Sequence, residues 1–164
     1  MNRQDIAFDA EGTTLRGWLY HPPTKIQQPP VVVMAHGFAA VKEQYLERFA
    51  ERFADAGMAV LLYDHRNFGA SDGTPRNDID PWQQIRDYQQ AISFVRQRED
   101  VDGDRVGIWG TSFSGGHVLV IGAIDPRVTC VVSQVPTISG YASYQRRISP
   151  DSIQRMNDML IADR

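Results

Sequence analysis

The segment Gly110-Thr111-Ser112-Phe113-Ser114-Gly115-Gly116 places one serine directly between an apolar run, RVGIWG (105–110), and a stretch of helical spacing that begins at Phe113. A serine hydroxyl can attack an acyl carbon if a sharp strand-to-helix turn lifts it above a sheet, in a strained backbone conformation that tolerates only small neighbours. Gly110 and Ser114 are small, and Gly115-Gly116 follow at once. A phosphate-binding loop also separates two glycines by four residues, but it then needs Lys followed by Ser or Thr, and here Gly116-His117 follow. Ser112 as no more than a helix cap would leave the glycine cluster unexplained.

Two further segments carry polar chemistry. His36-Gly37-Phe38 ends another apolar run, and His36 there reads as a hydrogen-bonded structural residue, with a role as general base the weaker alternative. Tyr63 to Gly73, YDHRNFGASDG, reads as a pinned loop: Asp64 and Arg66 supply hydrogen bonds, Gly69 and Gly73 suit tight turns, and an acid–base pair of Asp64 with His65 is the alternative. The one histidine after Ser112 is His117, about 140° around the same helix and roughly 7 Å along it, a placement that turns it away from the nucleophile. Asp125 lies about 18 Å along that helix, too far to support a base. His21 sits beside a proline-rich loop and is expected to face solvent.

The elements that must position these residues follow from hydrophobic spacing. DIAFDA and TLRGWLY alternate around Glu11-Gly12-Thr13, which predicts an antiparallel hairpin with one wet face. VVVMAH (31–36), MAVLLYD (58–64), RVGIWG (105–110) and RVTCVVSQV (127–135) are continuous apolar runs, as in parallel strands buried on both faces. Between them, Leu46, Phe49, Ala50 and Phe53 share one helical face that Gly57 ends, and Trp82, Ile85, Tyr88, Ile92 and Val95 share another. Asp80-Pro81 caps that second helix and Gln83 stands at a capping-box position. A third helix runs from Phe113 to about Ile124 and stops at Asp125-Pro126. The pattern is two strands followed by β-α-β-α-β-α-β, an α/β sheet with right-handed crossovers and helices on both faces.

Residues 110–116, in this strand-turn-helix setting, resemble the G-x-S-x-G nucleophile elbow of the α/β-hydrolase superfamily, with Ser114 in place of the second glycine. YDHRNFGASDG resembles the D-x-R-G-x-G-x-S loop of the same enzymes, with Asn67 where glycine is common, and is most similar to members akin to dienelactone hydrolases and Xaa-Pro peptidases. The resemblance covers residues 5 to about 135. It implies a serine hydrolase of acyl, ester-type bonds, with Ser112 as nucleophile and the backbone N–H groups of Phe38 and Phe113 as the oxyanion hole. Peptide or thioester cleavage and acyl transfer stay open. It implies no cofactor and no metal, and a small-molecule acyl substrate. Superfamily triads run serine, acid, histidine, the last two on loops after later strands, and neither loop is present. The sequence therefore reads as the first part of such an enzyme, truncated after about six strands, with residues 1–135 an incomplete core and 136–164 the start of a cap or lid. The rival readings are a catalytically incompetent fragment or binding module, and a half completed in trans by another chain. The strand around Val128 to Ser133 is then a bare apolar edge, open to self-association.

Composition narrows the classes. With 17 Lys and Arg against 20 Asp and Glu, and no basic run, the chain lacks the field that nucleic acid binding needs. No stretch approaches the ~20 apolar residues of a membrane span, the first residues do not form a signal-peptide core, and a cytoplasmic location is expected. Cys130, the lone cysteine, is expected to be buried in its strand. In the tail, Ser149-Pro150 starts another amphipathic helix with Ile153, Met156 and Leu160, and Asp151, Asp158 and Asp163 lie there without an assigned role.

Overall fold

The computed structural model describes residues 2–162; Met1, Asp163 and Arg164 lie outside them. The elements are β1 (Asn2–Ala10), β2 (Thr13–His21), β3 (Pro30–Ala35), α1 (Leu46–Asp55), β4 (Ala59–Tyr63), α2 (Pro81–Arg96), β5 (Asp102–Thr111), α3 (Phe113–Ile124), β6 (Val128–Gln134), α4 (Gly140–Arg147) and α5 (Pro150–Ala162). They build one six-stranded sheet in the order β1-β2-β4-β3-β5-β6. β1 and β2 form the antiparallel hairpin, β2 pairs antiparallel with β4, and β4, β3, β5 and β6 are parallel.

Alternation along the central strands divides the core between the two faces. Val31, Val33, Leu61 and Ile108 point toward Ile85, Tyr88 and Ile92 of α2 and Val118 and Ile121 of α3. Met34, Val60, Leu62 and Trp109 point toward Leu46, Ala50 and Ala54 of α1. Both faces are thus apolar, which is why these strands read as continuous runs. The strand order and parallel pairing are those that the α/β-hydrolase resemblance implies for its first six strands.

Several local expectations need correction. Trp82 is 62% exposed while the other four members of its predicted face are buried, because it sits on the first turn of α2, beyond the sheet. Asp80 caps α2 through the N–H groups of Trp82 and Gln83, but the Gln83 side chain reaches Glu11 and Asp87 instead of closing a capping box. Cys130 is exposed, since β6 is an edge strand. His21 is only partly exposed and lies 3.4 Å from Asp100. α5 forms as predicted. Helix α4 was not anticipated: Ser139 caps it through the Ala142 N–H, but neither α4 nor α5 buries a residue, so no apolar stripe marked α4.

Candidate active site

The site is built at the carboxyl ends of β3, β4 and β5. Ser112 joins β5 to α3 with φ 54° and ψ −110°, a strained left-handed conformation for a residue with a side chain. Its hydroxyl caps nothing, so it is not there as a helix N-cap. The turn is held by three backbone bonds: Ser112 N–H donates to Gln134 O at 2.9 Å, and Ser112 O accepts from Thr137 N–H at 2.8 Å and Gly116 N–H at 3.3 Å. The glycines are explained by close approach. A Cβ on Gly110 would lie 2.2 Å from Ser114 O, and one on Gly116 would lie 2.4 Å from Thr137 O.

The loop after β3 comes directly against the elbow. A Cβ on Gly37 would sit 3.2 Å from Ser112 Cβ and 3.7 Å from its Oγ, and the Phe38 and Phe113 rings meet edge to face at 5.5 Å. The Phe113 N–H belongs to the first turn of α3, where no intrahelical acceptor exists. Among the described residues the Ser112 hydroxyl makes no hydrogen bond, to a histidine or to any other side chain.

Below the elbow is a buried polar network. The Ser114 hydroxyl donates to His36 O, so His65 Nε2–H, at 2.8 Å, must donate to the Ser114 oxygen. The His65 backbone N–H donates to His36 Nε2 at 3.1 Å, and His36 Nδ1–H donates to Gly37 O at 2.9 Å. This set ties the Gly37 loop to the elbow and accounts for serine at position 114, while the buried His65 Nδ1 is left without a partner among the described residues. It also corrects the idea of His36 as a base for Ser112: both ring nitrogens are engaged elsewhere, and burial holds the imidazole below its usual protonation range. The alternative Asp64–His65 pair is not formed either. Asp64 accepts from Lys42 Nζ at 2.6 Å, Lys42 N–H at 2.8 Å and Ala70 N–H at 2.9 Å. Arg66 clamps Asp87 through two bonds and reaches Ala10 O, so these residues pin the loop as read from the sequence. Asn67 adopts φ 69°, the left-handed region that glycine and asparagine enter most readily, which explains its place in the motif.

His117 is the residue whose setting the sequence reading missed. It is 4% exposed and its ring lies 4.7 Å from Phe113 and 5.7 Å from His65. Burial, with His36 adding to it, lowers its pKa to about 4. His65 is pushed well below the usual range by burial and by its two histidine neighbours. Asp125, at the far end of α3, is bound to Arg127 and Gln89.

A cleft of about 480 Å³ opens over the elbow, with Phe38, Ser112 and Phe113 on one side and Ser143, Tyr144 and Arg147 of the tail on the other. No helix among the described residues is long and apolar enough to cross a membrane.

Comparison with known proteins places this geometry. The family model for X-Pro dipeptidyl-peptidase (S15 family) matches residues 11–153. The quorum-quenching protein AidA of Acinetobacter baumannii is 42% identical over 139 residues, 85% of this chain and 45% of that protein. The thiohydrolase aneE of Aspergillus aculeatus is 40% identical over 157 residues, 94% of this chain and 48% of that protein. The crystal structure of the α/β hydrolase GrgF from a Penicillium species superposes with a TM-score of 0.80 at 33% identity, over 98% of this chain and 54% of that one. The chain spans about half the length of the curated relatives it matches.

Proposed function

Because the chain belongs to the X-Pro dipeptidyl-peptidase (S15) family, within the α/β hydrolases, we propose that it supplies the nucleophile and oxyanion hole of a serine hydrolase acting on acyl esters or thioesters. The observation that carries this reading is the strained φ of Ser112 beside the glycine-walled approach of the Gly37 loop. Ser112 Oγ would attack the acyl carbon and lose its proton to a base. The carbonyl oxygen would gather negative charge between the Phe38 and Phe113 N–H groups, each contributing about 2.7–4 kcal/mol to lowering the barrier. Collapse of the tetrahedral intermediate would expel the alcohol or thiol with a proton from the conjugate acid, leaving Ser112 acylated, and water would then release the acid. The thiohydrolase among the relatives supports including thioesters.

The base would come from sequence outside the described residues, or from another chain, since His36 and His65 are committed to the floor of the site and His117 lies a turn below. Residues 136–162 would form the first part of a cap, as their place across the cleft suggests. The test is turnover of p-nitrophenyl esters by the 164-residue chain, Ser112→Ala and His36→Ala. An unassisted serine is a weak nucleophile, so wild type should turn over no faster than Ser112→Ala. Turnover that needs both Ser112 and His36 would overturn this assignment of the base and make His36 catalytic.

A further inference from the structure

The far wall of the cleft over Ser112 is α4, through Gly140, Ser143, Tyr144 and Arg147. These residues stand at i, i+3, i+4 and i+7, so they form one stripe of the helix. A helix that docks on a core presents an apolar stripe. This one presents a hydroxyl, a phenol and a guanidinium, and α4 buries no residue. Among the described residues lining the cleft, Arg147 alone is charged, and it is exposed. Tyr144 donates to Ile153 O at 3.4 Å and Gln145 to the Tyr141 hydroxyl, while Ser143 and Arg147 bond to no side chain among the described residues. The negative end of the α4 dipole accounts for a basic residue in the last turn, but Arg146 shares that turn and does not line the cleft. The dipole therefore leaves unexplained why the stripe facing Ser112 ends in a cation.

We propose that Arg147 recognises a carboxylate on the substrate, held across the cleft from the Ser112 hydroxyl. The inference rests on the hydrolase reading for its link to Ser112. One guanidinium with no second cation beside it suits a singly charged group, and its planar fork of N–H donors matches the two oxygens of a carboxylate. The Ser143 hydroxyl, one turn back on the same face, offers a further donor. Phe38, Phe113 and Tyr144 give the rest of the cleft an aromatic wall, so the carboxylate is carried on an apolar or aromatic body. The substrate class is then an ester or thioester with an acidic group set away from the reacting carbonyl.

The test uses the uniformly nitrogen-15-labelled 164-residue chain at neutral pH, with 3-phenylpropanoate as probe and 3-phenylpropanamide as its uncharged counterpart. The carboxylate should shift the Arg147 Nε resonance saturably. It should bind roughly two- to fivefold more tightly than the amide at low salt, the range of an exposed ion pair, with the gap narrowing at high salt. Arg147→Gln should bind the two equally and Arg147→Lys should keep part of the preference, whereas Arg146→Gln should keep all of it. Equal binding of acid and amide by wild type, or a loss in Arg146→Gln as large as in Arg147→Gln, would overturn the subsite. Carboxylate binding intact while p-nitrophenyl acetate fails to acylate Ser112 would instead leave the subsite standing and remove the hydrolase reading.

Discussion

The two edges of the sheet are built from opposite materials. β1 alternates from Asp5 onward, with Ile6, Phe8 and Ala10 buried and Arg3, Asp5 and Asp9 exposed, so this edge carries charge and resists pairing with another chain. β6 carries Val131, Val132 and Cys130 in the open, and the helices that follow it bury nothing. The first edge is finished, and the second has the composition of a strand meant to be covered. Ser112 sits between the closed part and the open part: the floor beneath it is built from β3, β4 and β5, while its far wall is a tail whose helices bury no residue. The polar floor beneath Ser112 should therefore depend on the closed side, while the turn that carries Ser112 also needs Gln134 and Thr137 on the open one.

The largest expected effect lies on the closed side. Asp64→Ala leaves the buried Lys42 ammonium with Glu43 as its one remaining carboxylate partner and removes the acceptor of the Lys42 and Ala70 N–H groups, and urea unfolding should show a loss of about 3 kcal/mol. A loss under 1 kcal/mol would mean that this side is no firmer than the other.

Protonation probes the same floor. The His117 pKa is about 4 in the fold and near 6.5 unfolded, so between those values the unfolded chain binds a proton that the native state does not. Stability is complete above about pH 6.5, falls as pH drops toward 4 by up to about 3 kcal/mol, and is flat below that for this group. Urea midpoints at pH 7 and pH 4.5 should show the fall, and His117→Phe should reduce it.

A matched pair of glycine substitutions compares the regions directly. Gly110→Ala forces a Cβ against Ser114 O and should cost about 1–3 kcal/mol or more, whereas Gly140→Ala meets open space in α4 and should cost nothing. Thermal melts of the two variants decide it. The smallest effect on stability belongs to Val132→Lys, within about 0.5 kcal/mol, but it should lower self-association through β6 in sedimentation velocity. Unchanged association would show that β6 is not the sticky edge.

The sheet, its order of elements and the elbow were legible in the sequence because both-face burial produces unbroken apolar runs and because close approach leaves a trail of glycines. Ser114 and Asn67, the two departures from the family pattern, were legible only as departures. Their reasons, a hydroxyl between His65 and His36 O and a left-handed φ, depend on contacts across 49 and 78 residues in the first case and on loop geometry in the second. His117 makes no hydrogen bond to Ser112, in keeping with its helical angle, but its burial against Phe113 and His65 was not legible, because that angle fixes direction from the axis and not what packs around it. The edge position of β6 was legible from the order of elements, but Cys130 was expected to be buried in it and is exposed.

The central claim is that the nucleophile is preformed within these residues although its base is not. Incubation with p-nitrophenyl acetate, followed by intact mass and peptide mapping, tests it most directly. The account predicts one acetyl group, accumulating slowly to at most one per chain on Ser112, with no turnover and no such adduct in Ser112→Ala. Acetylation spread over lysines with Ser112 unmodified would contradict it.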